Sequence, residues 1–193
     1  MSRVEFGVNE VLNLRAGERV RVKSRQEILA TLDQEGRLDH LLFMPEMLQY
    51  CDREFTVFKR ADKTCDTIEK SGGRRMMHAV HLEDNRCDGT AHGGCGARCL
   101  MFWKEAWLER AAGGHLSPVI NNVGSLGATR PSMLITEAQL LATTTRPSVE
   151  KSEEGVVYQC QVTELRSATT ALSSWDLRQY VRDITSGNIG MSE

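Results

Sequence analysis

No run of this chain approaches the roughly 20 apolar residues that a membrane-spanning helix needs. Neither charge is in excess, because 24 lysines and arginines face 26 aspartates and glutamates. The first absence speaks against a helical membrane protein, and the second against a nucleic-acid binder or a polybasic membrane-surface protein. The phosphate-loop, dinucleotide-fingerprint, G-x-S-x-G and H-E-x-x-H patterns are also missing, so nucleotide-dependent and serine-hydrolase chemistry has no local support. The stretch MSRVEFGVNEVLNLRAGERVRVKS lacks the apolar centre of a secretory signal. It predicts a cytoplasmic protein, whose cysteines stay reduced. Repeats and low-complexity tracts are absent as well. What the 193 residues do carry is a composition 40% hydrophobic and 26% charged, ordinary for a globular domain and sufficient for a core that needs no staples. The six cysteines therefore require another explanation.

The hydrophobic pattern predicts an α+β protein. GERVRVKS, residues 17 to 24, alternates at period two around Val20 and Val22 and reads as a half-buried strand. Ser24 and Glu27 then form a capping-box pair before Ile28, Leu29 and Leu32, which predicts a helix running to about Gly36. Pro45 predicts a turn feeding a short helix from Glu46 to Tyr50, and EFTVFKR and MHAVHLED predict two further strands. The spacing of Phe102, Trp103, Ala106 and Trp107 predicts a helix over 99–112, closed by Gly113 and Gly114. Residues 113–133 read as a loop or linker. Beyond them TEAQLLATTT predicts a short helix, VVYQCQVTEL a strand, and SSWDLRQYVRDITSGN a helix with an apolar stripe of Trp175, Leu177, Tyr180, Val181 and Ile184. The expected organisation is a β-rich unit over 1–112 that holds the cysteine cluster and the helix after it. The 113–133 linker follows, and a C-terminal strand and helix over 134–193 pack back on the same domain.

The chemistry concentrates in one stretch. Cys65 is followed by RCDGTAHGGCGARC, giving Cys65-x21-Cys87-x7-Cys95-x3-Cys99 with His92 inside the loop and glycines between the donors. Glycine lets backbone approach a metal or cluster in conformations other residues resist. If the helix over 99–112 began near Gly94, Cys95 and Cys99 would share one face of its first turn, where the helix dipole lowers thiol pKa. Paired C-x2-C spacing, the usual mark of structural zinc, is absent, whereas iron-sulfur sites accept more varied intervals. The spacing thus favours an iron-sulfur cluster, 2Fe-2S or 4Fe-4S, on Cys65, Cys87, Cys95 and Cys99, with Cys160 or His92 as an alternative fourth ligand. Zinc in a structural interaction module is the alternative. A cluster implies a redox partner, or a small-molecule substrate if one iron keeps an exchangeable position in a lyase or redox enzyme; a thiol enzyme using Cys95 or Cys99 is a third reading. Cys51 and the pair Trp103 and Trp107 read as core, and Asp66 and Asp88 as local turn formers.

Three resemblances add to this. The segment C-D-G-T-A-H at 87–92 resembles the C-D-G-S-H signature of CDGSH iron-sulfur proteins, which implies His92 as a ligand of a 2Fe-2S cluster beside Cys87; here His92 stands one residue further on. GERVRVKS resembles the first strand of SH3-like barrels such as those of nitrile hydratase beta-type proteins, which implies a small SH3-like β-barrel or sheet carrying the Cys/Gly-rich loop. FMPEMLQYC, CDGTAHGGCGARCLMFWKEAW, YQCQVTEL and QYVRDITSGN together resemble a bacterial cysteine-rich protein family to which no activity is attached.

Overall fold

The computed structural model describes residues 11–111, 135–147 and 156–189. Strand β1 (Arg19–Val22) buries Val20 and Val22 and exposes its arginines, as the period of two requires. It pairs antiparallel with β4 (Glu54–Arg60) and with a later strand, β9 (Leu108–Arg110). Between β1 and β4 lie helix α1 (Arg25–Leu29), the two-residue strands β2 (Arg37–Leu38) and β3 (Leu41–Leu42), and a 3-10 helix at Pro45–Tyr50. The capping box of Ser24 and Glu27 is present, but α1 ends at Ala30. Beyond it, the Asp33 carboxylate accepts from the amides of Glu35 and Arg37 and folds 33–37 into a turn instead of a further helical turn.

After β4 come β5 (Thr64–Asp66), β6 (Gly72–Arg75), β7 (Ala79–Leu82) and β8 (Trp103–Lys104). The main sheet has the order β8-β7-β4-β1-β9 and is antiparallel throughout; Phe58, next to the buried Val57, faces outward, and the β4–β7 register shifts between Val57 and Lys59. β8 and β9 are the two outer strands of this sheet and are joined directly by a 3-10 turn at Glu105–Trp107. They do not pair with each other, so the sheet is open.

The helix expected over 99–112 is replaced by this strand, turn and strand. The reason lies in burial. From Met101 to Leu108 every residue but Ala106 is buried, on all sides of the segment, whereas an amphipathic helix would have turned Lys104 and Glu105 to water. Both are compensated inside. Lys104 Nζ lies 3.2 Å from Asp39 and 3.2 Å from the Met77 carbonyl. Glu105 accepts from the amides of Asn13 (2.9 Å) and Leu14 (3.0 Å) and from Arg60 (3.0 Å). Trp103 and Trp107 are core residues, meeting Phe43 edge-on at centroid distances of 6.2 and 5.0 Å.

Helix α2 (Glu137–Ala142) is capped by Thr136 and Gln139, and the hairpin β10 (Thr145–Pro147) with β11 (Val156–Tyr158) follows. The strand expected over 156–165 stops at Tyr158, and turns carry the chain to β12 (Thr170–Ala171), which completes the sheet β12-β6-β5. These C-terminal elements pack on the first part of the chain. Gln161 accepts from the amide of Phe102 and donates to the carbonyls of Leu42 and Phe102. Helix α3 (Arg178–Thr185) turns Gln179 inward, and its expected apolar stripe faces outward, with Trp175 90% and Val181 61% exposed. The linker expected over 113–133 lies outside the described residues. No helix among the described residues is long and apolar enough to cross a membrane.

Candidate metal centre

The loop 86–99 is a closed excursion from the sheet. An isolated bridge pairs Arg86 with Leu100, and the Cys87 amide donates to the Cys99 carbonyl at 2.9 Å, so the loop's two ends are tied together. Inside it the amides of His92 and Gly94 both donate to the Gly89 carbonyl. Asp88 accepts from the amide and hydroxyl of Thr90, and Asp66 from the amides of Ile68 and Glu69 and the hydroxyl of Ser71. Both aspartates thus shape turns, as expected. Gly89 has φ of 79°, and a Cβ built there would lie 2.2 Å from the Cys95 carbonyl oxygen and 2.5 Å from its nitrogen. Backbone cannot yield as a flexible side chain does, so Gly89→Ala is expected to push the Cys95 segment away and to lower the affinity for any metal held there at least about tenfold. Equilibrium titration of the variant checks this.

The innermost group is Glu46, Cys87 and His92, all buried, with donor atoms within 4.8 Å of one another. Cys87 Sγ lies 3.4 Å from Glu46 Oε1 and 3.6 Å from His92 Nε2, and His92 Nδ1 stands 3.5 Å from Glu46 Oε1. That last contact is too poorly aligned to be a hydrogen bond. His92 Nδ1 and Glu46 Oε2 are buried without a hydrogen-bond partner. Buried polar atoms are rarely left so, and a cation is a partner that would satisfy them. Burial, reinforced by the hydrogen bond and charge of Glu46 and by the nearby Cys160, pushes the Cys87 thiol up to about 12.

A cavity of about 40 Å³ adjoins this group, and Cys87, His92, Cys95, Cys99 and Cys160 all line it. Its other walls are mainly apolar, including Met44, Leu100, Met101 and Val162. Three of the four expected ligands, Cys87, Cys95 and Cys99, and both alternatives, His92 and Cys160, therefore line one cavity. Cys65 does not join them; it is exposed on β5, opposite Gly73, and does not line the cavity. No helix follows Gly94, so Cys95 and Cys99 do not stand at a helix N-terminus, and burial raises the pKa of the Cys99 thiol. Cys51 packs against the core from the end of the 3-10 helix, and burial pushes its thiol up to about 11. His81 faces the carbonyl of Met101 at 2.9 Å and is held below the usual imidazole range by burial, away from the cysteines.

Sequence reasoning missed Glu46. A lone carboxylate in the apolar run LLFMPEMLQY was the available signal, since a buried acid needs a compensating partner. The donor set, soft thiols with imidazole and carboxylate, suits zinc or iron rather than magnesium or calcium. No family model matches the chain, and neither curated proteins nor solved structures give a match.

Proposed function

We propose that this protein is a metal-binding module whose ion is held by Cys87 and His92, with Cys160 and one of the loop thiols Cys95 and Cys99 completing a four-coordinate site. The observation that carries this reading is that the buried pair Cys87 and His92 adjoins a cavity whose lining also includes Cys95 and Cys99 from the same loop and Cys160 from a segment about 60 residues further on. An ion there would tie the loop 86–99, which is held by few hydrogen bonds and no helix or strand of its own, to the C-terminal segment. That is a structural role, with Cys160 taking the place assigned to Cys65 from spacing alone. Zinc is the reading the cavity supports best. About 40 Å³ accommodates one ion or a few water-sized groups, since a single water needs on the order of 10–15 Å³. An iron-sulfur cluster is the second reading, favoured by four thiols around one space.

The sheet order β8-β7-β4-β1-β9, with a 3-10 turn between the outer strands, supports an SH3-like scaffold that has opened between β8 and β9. The free thiols support a reducing compartment such as the cytoplasm. At neutral pH, Cys87, whose thiol pKa is near 12, is protonated in the metal-free protein, so binding must expel its proton. A cobalt(II) titration is therefore expected to show thiolate-to-cobalt charge-transfer absorption saturating at one equivalent, with proton release and an affinity that rises with pH. Binding without that absorption, or with no dependence on pH, contradicts the proposal.

A further inference from the structure

A larger cavity, of about 300 Å³, lies elsewhere on the molecule and shares no lining residue with the metal centre. Arg15 before β1, Arg60 at the end of β4, Arg75 at the end of β6 and Arg182 on α3 converge on it from four parts of the chain, against one lining carboxylate, Asp62. Arg60 is already committed. It lies 2.8 Å from Asp62 and 3.0 Å from Glu105, and it donates to the Leu14 carbonyl. Arg15, Arg75 and Arg182 have no ion-pair partner among the described residues. Two further atoms at this wall, Arg75 Nε and His78 Nδ1, are buried and lack a hydrogen-bond partner. His78 is also held at φ of 52°, a backbone conformation that costs energy for a residue with a side chain and that clusters at ligand sites.

We propose that this cavity binds a small phosphate-bearing molecule. Three uncommitted guanidinium groups offer forked donors and three positive charges. A phosphate monoester, with about two negative charges and three terminal oxygens, can engage all of them. A single carboxylate, with one charge and two oxygens, leaves at least one arginine unmatched. The volume lies at the lower end of small-ligand sites, roughly 300–1,000 Å³, and exceeds the needs of phosphate alone. Leu14 and Met77 provide apolar wall for the organic part of an ester.

Calorimetric titration of the full chain with glycerol 3-phosphate, inorganic phosphate and glycerate tests this. Glycerol 3-phosphate is expected to bind saturably at one site, inorganic phosphate to bind the same site more weakly, and glycerate, a single carboxylate on a similar carbon frame, to bind weakest. The double variant Arg15→Ala/Arg182→Ala is expected to weaken glycerol 3-phosphate by at least about tenfold with its cobalt titration unchanged. Met77→Glu, which places a carboxylate at the half-exposed rim, is expected to abolish binding without disturbing packing. The proposal is overturned if neither phosphate binds saturably, if glycerate binds more tightly than both, or if both variants bind like the parent protein.

Discussion

Cys87→Ser is expected to strip the protein of its metal, and Cys160→Ser to weaken retention strongly, whereas Cys65→Ser is expected to hold metal as the parent does. Cys87 is the most buried of the six thiols, and it sits in contact with both His92 and Glu46. Serine keeps its size but supplies a far weaker ligand for a soft ion. Loss of a partner outside the ligand set typically costs 10–100-fold in affinity, so loss of a ligand itself should exceed about 100-fold. Structural zinc sites contribute folding free energy, so the thermal midpoint of Cys87→Ser should match that of chelator-treated parent protein and no longer respond to chelator. Metal measured per chain after dialysis against a competing chelator separates the variants. Equal loss in Cys65→Ser and Cys87→Ser would falsify the assignment of Cys160 over Cys65.

Glu105→Ala is expected to destabilise the fold by about 3–5 kcal/mol, as much as truncating a large core side chain. Glu105 is 1% exposed and serves three donors at once: the amides of Asn13 and Leu14 and the guanidinium of Arg60. Alanine would leave two amides without an acceptor and a buried arginine with only Asp62 for charge compensation. Each buried donor left unsatisfied costs about 1–3 kcal/mol. Asp62→Ala removes a more exposed carboxylate from the same arginine and should cost clearly less. Urea denaturation of both variants measures the difference, and equal costs would show that the buried position of Glu105 does not matter.

Period-two alternation made β1 and β4 legible, and the pairing of Ser24 with Glu27 marked the start of α1, because these signals are local. The segment from Cys99 to Arg110 shows where local signals mislead. Phe102, Trp103, Ala106 and Trp107 have helical spacing, yet the segment crosses the interior with Lys104 and Glu105 also buried. Their partners, Asp39, Arg60 and the amides of Asn13 and Leu14, are remote in sequence, and nothing in residues 99–112 announces them. The outward apolar face of α3 has a similar origin. Periodicity defines a stripe but not which side meets the protein, and here Gln179 is the side that does.

The candidate metal centre was legible in part for the same reason. Cys87, His92, Cys95 and Cys99 sit within one loop, so spacing alone gathers them. The choice between Cys65 and Cys160 depended on tertiary structure, because Gln161 docks the C-terminal segment against Phe102 and Leu42 and carries Cys160 to the cavity. Glu46 arrives from a separate 3-10 helix, and its single-residue signal gave no indication of which cysteine it would face.

The most direct test of the metal-binding reading is elemental analysis of anaerobically isolated protein, with acid-labile sulfide measured alongside. The expected result is a colourless protein with one zinc per chain and no sulfide, losing its zinc in Cys87→Ser. Protein that carries no stoichiometric metal, or a brown protein with iron and sulfide in equal amounts, would contradict the assignment of a single zinc ion held by Cys87 and His92.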